Sequence, residues 1–363
     1  MIDALRYGIV GTGMMGVEHI HNIKILEGAQ VVAIADPEPT SLGWAKNALG
    51  AAAEGVAEYA DSAGMIANAG LDAVVVVSPN FTHRPVLEPL LDSDVAILCE
   101  KPLCTTMEDA RWVVERAEAR KAPFWTGMEY RFMPPAKAFI DEIHAGKVGR
   151  LHMLSIREHR FPFLVKVRDW NRFSANTGGT MVEKCCHFFD LMRLITRSEP
   201  VRVYCSGAMD VNHIDERYEG RQPDIIDNSF TTVDFADGTR ALLDLCMFAE
   251  GAEHQEEMSA TGDKGRLDVL IPPGDLVWSP RVPWPGPKSV ERWHVAVDEA
   301  AMDAGSHHGA TFYQHEAFAR AVRGEGEVLV TARDGLMAVA IGAAAELSAR
   351  EKRVVEMAEV LGG

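Results

Sequence analysis

The chain has 363 residues, of which 47% are hydrophobic and 25% are charged, and this balance excludes disordered and fibrous classes of protein. The length predicts two compact domains. Acidic residues outnumber basic ones by 53 to 36, and the net charge of -17 disfavours binding to nucleic acids or to anionic membranes. The longest apolar run, Leu336–Ala345, is too short to cross a bilayer. Because the first residues lack signal-peptide features, we expect a cytoplasmic protein.

The first 126 residues alternate short apolar runs with amphipathic stretches. The runs predict strands at Tyr7–Val10, Val31–Ala35, Ala73–Val77, Ala96–Cys99 and Pro123–Thr126. The stretches predict helices near Met14–Glu27, Thr40–Leu49, Ser62–Ala69, Arg84–Leu91 and Met107–Arg120. Because Ala73–Val77 is apolar on both faces, the sheet is predicted to be parallel and covered on both sides. The pattern is typical of a doubly wound Rossmann domain over residues 1–126.

Residues 127–363 follow a different pattern. Strands are predicted in neighbouring pairs at Leu151–Arg157, Val201–Gly207, Ser229–Phe235, Thr239–Met247 and Glu257–Gly262. Helices are predicted at Thr180–Ile195, Thr311–Arg323 and Arg333–Glu351. This region is therefore predicted to be an α+β domain on a mostly antiparallel sheet. Since three helices are too few to cover the sheet, we expect a homo-oligomer.

A glycine-rich loop joins the first predicted strand to the first predicted helix. It carries the GxGxxG spacing at Gly11, Gly13 and Gly16. Gly11 allows the tight turn, Gly13 lets the backbone approach a pyrophosphate, and Gly16 lets the helix pack close to the strand. Met14 and Met15 open the helix, whose first amides can bind phosphate. The loop and these methionines are predicted to bind a dinucleotide; a glycine turn without a ligand is the alternative.

An acidic residue after the second strand predicts which dinucleotide is bound. Asp36 lies twenty residues beyond Gly16, where a carboxylate can accept both ribose hydroxyls and repel a 2′-phosphate. No lysine or arginine follows before Lys46. The sequence therefore predicts NAD rather than NADP, although Asp36 could also serve as a turn residue before Pro37.

Two further segments carry a family resemblance. Cys99–Pro102 (Cys-Glu-Lys-Pro) follows the fifth predicted strand, and Thr177–Asp190 opens a predicted helix in the second region. With the glycine loop, they resemble the glucose-fructose oxidoreductase / inositol dehydrogenase / rhizopine catabolism (Gfo/Idh/MocA) family over essentially the whole chain. The resemblance implies a nicotinamide cofactor, sugars or cyclic polyols as substrates, and an open-faced second sheet that often forms oligomer contacts.

The resemblance also implies residues that contact the cofactor. Ser78-Pro-Asn80 with His83 resembles the family segment that lines it, and Trp170-Asn-Arg172 resembles a Trp-Arg segment near the nicotinamide, with Asn171 inserted. Beyond the glycine loop and Asp36, the predicted cofactor-binding residues are Ser78, Asn80, His83, Glu100, Lys101, Trp170 and Arg172.

Lys101 is the first predicted catalytic residue. Oxidation of a secondary alcohol requires a hydride acceptor and a proton acceptor. Lys101 follows a parallel strand, at the sheet edge where ligands bind, and a cation there can stabilise a developing alkoxide. A solvated surface lysine is the alternative interpretation.

His187 is the preferred proton acceptor, and Glu183 is predicted to tune it or to relay the proton. Glu183, His187 and Asp190 have helical i, i+4, i+7 spacing, which places them on one face of a helix. Family members usually carry Asp at the position of Glu183. A packed structural histidine is the alternative. Cys185, Cys186 and His187 are consecutive and cannot converge on one ion, so we predict no metal.

The predicted substrate-binding residues are Lys101, Arg157, Glu183, His187 and His308. Arg157 ends the first strand of the second region, and His308 lies before a predicted helix next to His307. Solvated positions are the alternative for Arg157 and for the two histidines.

Together these residues predict an NAD-dependent dehydrogenase that oxidises a secondary hydroxyl of a sugar, glycoside or inositol-like polyol. Two alternatives stay open: a redox-neutral, NAD-dependent glycoside-cleaving enzyme, and a non-catalytic regulator that senses nicotinamide. The presence of both Lys101 and His187 disfavours the regulator.

Overall fold

The computed structural model describes residues 4–362, which divide into two units. The first unit runs to Phe132 and resumes at Asp298–Val339, and the second comprises Met133–Val297 and continues from Ala340. The chain thus passes between units three times, whereas the sequence predicted one boundary after residue 126. The reason is that the helices after residue 298 pack within the first unit.

The first unit contains a six-stranded parallel sheet with strand order β3-β2-β1-β4-β5-β6. Its strands are β1 (Leu5–Val10), β2 (Ala29–Ala35), β3 (Ala57–Tyr59), β4 (Ala73–Val76), β5 (Ala96–Glu100) and β6 (Phe124–Gly127). Its first helices are α1 (Met14–Ile25), α2 (Pro39–Leu49), α3 (Ser62–Asn68), α4 (His83–Leu91) and α5 (Met107–Glu118). This is the doubly wound order, and the predicted Rossmann fold is confirmed. Strand β3 escaped prediction because none of its three residues is buried.

The second unit contains a nine-stranded sheet with the order β14-β13-β12-β11-β7-β10-β9-β8-β15. Its strands are β7 (Leu151–His159), β8 (Pro200–Ala208), β9 (Asn228–Phe235), β10 (Arg240–Cys246), β11 (Glu256–Gly262), β12 (Gly265–Ile271), β13 (Asp275–Pro280), β14 (Glu291–His294) and β15 (Val355–Glu356). Neighbouring strands are antiparallel except β7 and β10. The predicted mostly antiparallel sheet is confirmed, and four of its strands, β12 to β15, were not predicted.

Four helices of the second unit precede or follow β7. They are α6 (Pro134–His144), α7 (Ser174–Thr177), α8 (Thr180–Glu183) and α9 (Cys186–Thr196). Helix α8 packs on the buried face of the sheet, where Met181 Sδ lies 3.7 Å from the Ser229 hydroxyl. On the opposite face Met153 and Phe230 are 60% and 61% exposed, so that face is open to solvent.

The predicted continuous helix Thr180–Ile195 is wrong, because the chain breaks it at Lys184 and Cys185. The Cys185 N–H donates to the Thr180 carbonyl, five residues back, at 3.2 Å. The Phe188 N–H then donates to the Cys185 carbonyl, three residues back, at 3.0 Å. This wide turn separates α8 from α9. Glu183 and His187 therefore lie on different helices, and the i, i+4 spacing does not establish a shared face.

The last helices are α10 (Glu299–Asp303), α11 (Ala310–Val322), α12 (Ala332–Glu351) and α13 (Met357–Leu361). Helices α11 and α12 agree with the predicted Thr311–Arg323 and Arg333–Glu351. Helix α12 begins in the first unit and continues in the second. Within residues 4–362, no helix is both long enough and apolar enough to span a bilayer.

Candidate active site

The glycine loop of the first unit leaves room for a pyrophosphate at one position. A Cβ atom on Gly11 would lie 2.6 Å from the Ser78 nitrogen, and one on Gly16 would lie 2.3 Å from the Gly11 oxygen. These two glycines therefore serve close backbone packing. A Cβ on Gly13 would meet no described atom within 4 Å, in front of the first turn of α1. That space fits the phosphates of a dinucleotide.

Asp36 is fixed beside this loop. Its Oδ2 accepts from the Thr12 backbone N–H at 2.7 Å and from the Thr12 hydroxyl at 3.1 Å, while Oδ1 accepts from the Glu38 N–H at 2.8 Å. A carboxylate has about four acceptor sites, so it can still accept from ribose hydroxyls. Lys46, the nearest following cation, pairs with Glu58 at 2.7 Å. These contacts fit NAD rather than a 2′-phosphorylated cofactor.

The segment after β4 holds three of the predicted cofactor-binding residues. Asn80 is buried, and its Nδ2 has no hydrogen-bond partner among residues 4–362, so the amide can serve a ligand. His83 instead braces the backbone: Nε2 faces the Ser78 carbonyl at 3.0 Å, and Nδ1 faces the Pro102 carbonyl at 2.9 Å. Burial lowers the pKa of His83, although these carbonyls favour its protonated form. The ring thus ties the Ser78 turn to the segment that follows Lys101.

Glu100 and Lys101 lie at the carboxyl end of β5, as predicted. Glu100 is 4% exposed, and its Oε2 accepts from the Lys101 backbone N–H at 3.1 Å. Burial raises the pKa of Glu100, but the hydrogen bond from His19 and the charges of His19 and Lys101 outweigh it, and the net shift is downward. An ionised carboxylate is therefore buried beside the predicted catalytic lysine. Sequence reasoning missed His19, whose only signal is a histidine on the buried face of α1.

Glu129 is a second buried carboxyl in this region, and it was not predicted. It lies in the short turn Glu129–Phe132 after β6. Burial, and next the negative charge of Glu100, raise its pKa to about 7, although His307 and Lys101 oppose the rise. Near neutral pH this group can gain or lose a proton, which is the property of an acid–base residue.

His307 and His308 are adjacent in sequence but have different surroundings in the structure. His307 Nδ1 lies 2.7 Å from Glu18 Oε1, which also accepts from the Thr311 hydroxyl at 2.8 Å. Burial raises the pKa of Glu18, but these partners lower it to about 2. His307 is thus anchored to α1. His308 is half-buried with a φ of 52°, and its predicted contact with substrate stays a prediction.

Three of the predicted residues of the second unit lie at or just after the α8–α9 break. Glu183, His187 and Asp190 are 7%, 1% and 1% exposed, so all three belong to the buried side of the unit. The turn before them requires glycine, because Gly179 has a φ of 90° and a Cβ there would lie 2.2 Å from Glu346 Oε1. The same Glu346 oxygen accepts from the Met181 N–H at 3.0 Å. This contact fixes the start of α8.

A buried cluster of charged side chains lies next to the break between α8 and α9, and it was not predicted from the sequence. Lys184 Nζ lies 3.0 Å from Glu158 Oε1, and Arg160 Nη1 lies 3.3 Å from the same oxygen. Glu158 is fully buried and Lys184 is 4% exposed. Burial, followed by the charge of Glu158, raises the pKa of Glu256 on the neighbouring strand to about 7. The signal in the sequence is a lysine between Met181-Val182 and Cys185-Cys186.

The predicted grouping of Arg157 with His187 is wrong. Arg157 points to the open face of the sheet, where it pairs with Glu257. The next residue, Glu158, points to the other face and reaches Lys184. Because side chains alternate across a strand, Arg157 lies on the opposite side of the sheet from α8 and α9. It cannot bind one substrate together with Glu183 and His187.

Arg172 is buried and neutralised within the second unit. Its Nε lies 2.9 Å from Glu216 Oε2, which also accepts from the Tyr218 hydroxyl at 2.8 Å. The Trp170 carbonyl accepts from the Asn176 amide at 2.9 Å. These contacts hold the segment before α7 in place, and the predicted role of Trp170 and Arg172 at the cofactor stays a prediction.

The first unit therefore has the features of a dinucleotide-binding domain, with a doubly wound sheet, an open glycine loop and an acidic residue after β2. A family model described as "Oxidoreductase family, NAD-binding Rossmann fold" matches residues 5–128. A second model, "Oxidoreductase family, C-terminal alpha/beta domain", matches residues 140–357. The chain belongs to the Gfo/Idh/MocA oxidoreductase family. The predicted family, enzyme class and NAD cofactor are confirmed.

Similar proteins match over nearly the whole chain. Myo-inositol 2-dehydrogenase of Thermotoga maritima is 26% identical over 369 residues, covering 99% of this chain and 100% of the relative. Rhizopine catabolism protein MocA of Rhizobium meliloti is 28% identical over 354 residues and 97% of each chain. The structure of scyllo-inositol dehydrogenase from Lactobacillus casei with NAD(H) and scyllo-inositol has a TM-score of 0.78 and 22% identity, covering 98% of this chain and 100% of that one. The structural match shows a shared fold.

Proposed function

We propose that this enzyme oxidises a secondary hydroxyl of a cyclic polyol of the inositol type, or of a related sugar, with NAD. The observation that carries the proposal is the Glu100–Lys101 pair at the carboxyl end of β5, on the sheet that holds the glycine loop. The names of the full-length relatives, a myo-inositol 2-dehydrogenase and a rhizopine catabolism protein, support the substrate class.

Bound NAD would supply the hydride acceptor, held by the glycine loop, Asp36 and the Asn80 amide. The chain must then take the hydroxyl proton as the carbon loses its hydride, so that the alcohol becomes a ketone. We assign the acceptance of this proton to His187, with Glu183 tuning the histidine, and the stabilisation of the developing charge on the substrate oxygen to Lys101. The buried Glu100 carboxylate beside Lys101 favours the lysine's cationic form, which can stabilise negative charge on the substrate oxygen.

A panel of inositol isomers, monosaccharides and glycosides tests this function, with NADH absorbance at steady state as the readout. We expect sustained NADH formation with at least one inositol or closely related sugar, and much slower formation with the Lys101→Ala variant. Absence of NADH with every cyclic polyol and sugar would refute the proposal. Glycoside cleavage without NADH accumulation would instead support the redox-neutral alternative.

We also propose that the enzyme is a cytoplasmic homo-oligomer. The open face of the second sheet exposes Met153, Tyr204 and Phe230, which are 60%, 42% and 61% exposed. These lie on strands β7, β8 and β9, and an apolar patch of this kind favours association with a second copy. A monodisperse particle near 40 kDa in light scattering would contradict the proposal.

A further inference from the structure

A chain of three buried side chains leads from α11 to the residue before Lys101. His315 Nε2 lies 2.8 Å from His19 Nδ1, and His19 Nε2 lies 3.1 Å from Glu100 Oε1. The second oxygen of Glu100 accepts from the Lys101 backbone N–H. His19 and His315 are fully buried and Glu100 is 4% exposed. The three side chains come from α11, α1 and β5, so tertiary packing alone brings them together.

The protons on His315 and His19 can be assigned from the chemistry of the Glu100 carboxylate, with which the three side chains end. A carboxylate only accepts hydrogen bonds, so His19 Nε2 must carry a proton and donate to Glu100. When His19 is neutral, its Nδ1 accepts from the Nε2–H of His315; when His19 is a cation, its Nδ1–H donates to the other tautomer of His315. A neutral His315 can thus pair with His19 in both charge states. Burial, and then the neighbouring His19, lower the pKa of His315 well below its ordinary value, which keeps it neutral.

The charged groups around Glu100 come from several elements. His19 reaches it from α1, and Lys101 follows it in sequence. Glu129 faces it from the turn after β6, and the Glu100 charge also acts on His83 of α4. Among these groups, His19 donates a side-chain hydrogen bond to the Glu100 carboxylate, with 3.1 Å between Nε2 and Oε1. The ring of His315 packs edge-on against Tyr7 of β1, with 5.9 Å between ring centres.

We propose that His315 is a positioning residue for the oxidation: through His19 it holds the Glu100 carboxylate ionised and oriented behind Lys101, and it thereby sets the pH range in which the enzyme turns over. The proposal rests on the proposed role of Lys101 as the cation that stabilises the substrate oxygen. His315 touches neither substrate nor cofactor, and it acts only through His19 and Glu100. Without it, His19 Nδ1 loses its partner, the hydrogen bond to Glu100 weakens, and Glu100 takes up a proton at a higher pH.

The test compares pH profiles of kcat for the wild-type enzyme with those of His315→Leu and His315→Gln. Leucine can neither donate nor accept, whereas a glutamine amide can do both, so it can replace Nε2 of the histidine. For His315→Leu we expect kcat to fall roughly five- to tenfold. We expect its acid limb to move to higher pH by about one unit, because Glu100 takes up its proton sooner as pH falls, and one unit is the scale of shifts that a neighbouring charge produces. For His315→Gln we expect a profile close to that of wild type.

The matched control is Gln314→Leu. Gln314 is also fully buried on α11, and its side-chain atoms make no hydrogen bond among residues 4–362. We expect this variant to keep the wild-type profile. A His315→Leu profile that superimposes on wild type, or an acid limb that moves to lower pH, would overturn the proposal. The same result for Gln314→Leu and His315→Leu would also overturn it, because packing alone would then explain both.

A measurement without substrate separates this proposal from the assignment of Lys101. In ¹⁵N-histidine NMR of the wild-type enzyme we expect His19 to carry a proton on Nε2 and to have a hydrogen-bonded Nδ1. The His315→Gln variant should keep this spectrum even if His315→Leu does not fold. If the Nδ1 of His19 has no hydrogen bond, the hydrogen-bonded arrangement of His315, His19 and Glu100 is itself refuted. If the spectrum is as expected but Lys101→Ala keeps wild-type turnover, the lysine assignment fails and the positioning role fails with it.

Discussion

Both units bury a carboxylate next to predicted catalytic residues, but they neutralise it with different groups. In the first unit Glu100 pairs with His19, whereas in the second Glu158 pairs with Lys184 and Arg160. Histidine changes charge near neutral pH, while lysine and arginine keep theirs. The side-chain partner of Glu100 is thus an imidazole, whereas the partners of Glu158 are an ammonium and a guanidinium group.

Each of the two carboxylates also affects a second carboxyl. Burial and the nearby charge raise the pKa of Glu129 to about 7 in the first unit, and they do the same to Glu256 in the second. The same electrostatic arrangement therefore occurs twice, with a histidine hydrogen-bonded to the carboxylate in one unit and a lysine and an arginine paired with it in the other. Substitutions in the two units can show whether this difference matters for stability and turnover.

The largest expected effect is on the stability of the second unit. Lys184→Met leaves the buried Glu158 with Arg160 alone, and losing one partner of a buried pair should cost about 3 kcal/mol in the free energy of unfolding. Urea denaturation measures this loss. Lys46→Met is the matched control, because the Lys46–Glu58 pair is 45% and 43% exposed and should contribute less than about 1 kcal/mol. Equal losses in both variants would contradict the distinction between buried and surface pairs.

The next largest effect is on turnover, with one variant in each unit. Lys101→Ala and His187→Ala should each reduce kcat at least about a hundredfold, since a positioned acid–base group contributes 10²–10⁴. Both should still bind NADH, measured by fluorescence, because the glycine loop and Asp36 are intact. If the two act on one proton, the double variant loses much less than the product of the single losses. Near-normal turnover of His187→Ala would leave Lys101 as the sole acid–base group.

A smaller effect concerns stability as a function of pH. A carboxyl whose pKa is raised on folding binds a proton more tightly in the folded state, so its contribution is present at low pH and is lost as pH rises through about 7. Glu256→Gln mimics the protonated form, so it should become more stable than wild type by up to about 1.4 kcal/mol per pH unit as pH rises from 4.5 to about 7, and the difference should stay constant up to about pH 8.5. At pH 4.5 the two should be nearly alike. Glu129→Gln should show the same sign, and urea denaturation at both pH values checks each variant.

The smallest expected effect is on cofactor choice. Asp36→Ala removes the carboxylate that we predict to bind the ribose and should raise the KM for NAD roughly tenfold, as expected for the loss of a hydrogen bond to a charged group. It should also narrow the preference for NAD over NADP. Asp36→Asn keeps one acceptor oxygen and should lie between wild type and alanine. A wild-type enzyme with equal kcat/KM for NADP would show that the carboxylate does not select the cofactor.

The first unit was the more predictable of the two. Its central strands are buried on both faces, and β4 is buried at all four residues, so an apolar run predicts each of them. Strand β12 of the second unit alternates buried residues with half-buried or exposed ones, and β13 buries only Leu276, so no strong apolar run marks either strand. The break at Lys184 and Cys185 depends on one backbone hydrogen bond that reaches five residues back, which helical spacing cannot reveal.

The candidate site was predictable where local sequence defines it. The glycine loop, Asp36 and Lys101 each follow a strand, and the edge of a parallel sheet gathers such positions. The partner of His19 could not be predicted, because His315 lies 296 residues away in sequence and only tertiary packing brings it near. The opposite faces of Arg157 and Glu158 follow from strand alternation, but the face that carries α8 is defined by tertiary contacts, those of Met181 with Ser229 and of Lys184 with Glu158.

The interleaving of the two units has a consequence for biosynthesis. The parallel sheet of the first unit is complete in the nascent chain at Gly127, yet its helices within Asp298–Val339 emerge only after residues 133–297. Domains that fold during synthesis usually do so as contiguous segments, and this one cannot be contiguous. On the ribosome, His19 is therefore synthesised long before His315, and the two buried histidines can form their hydrogen bond only near the end of translation.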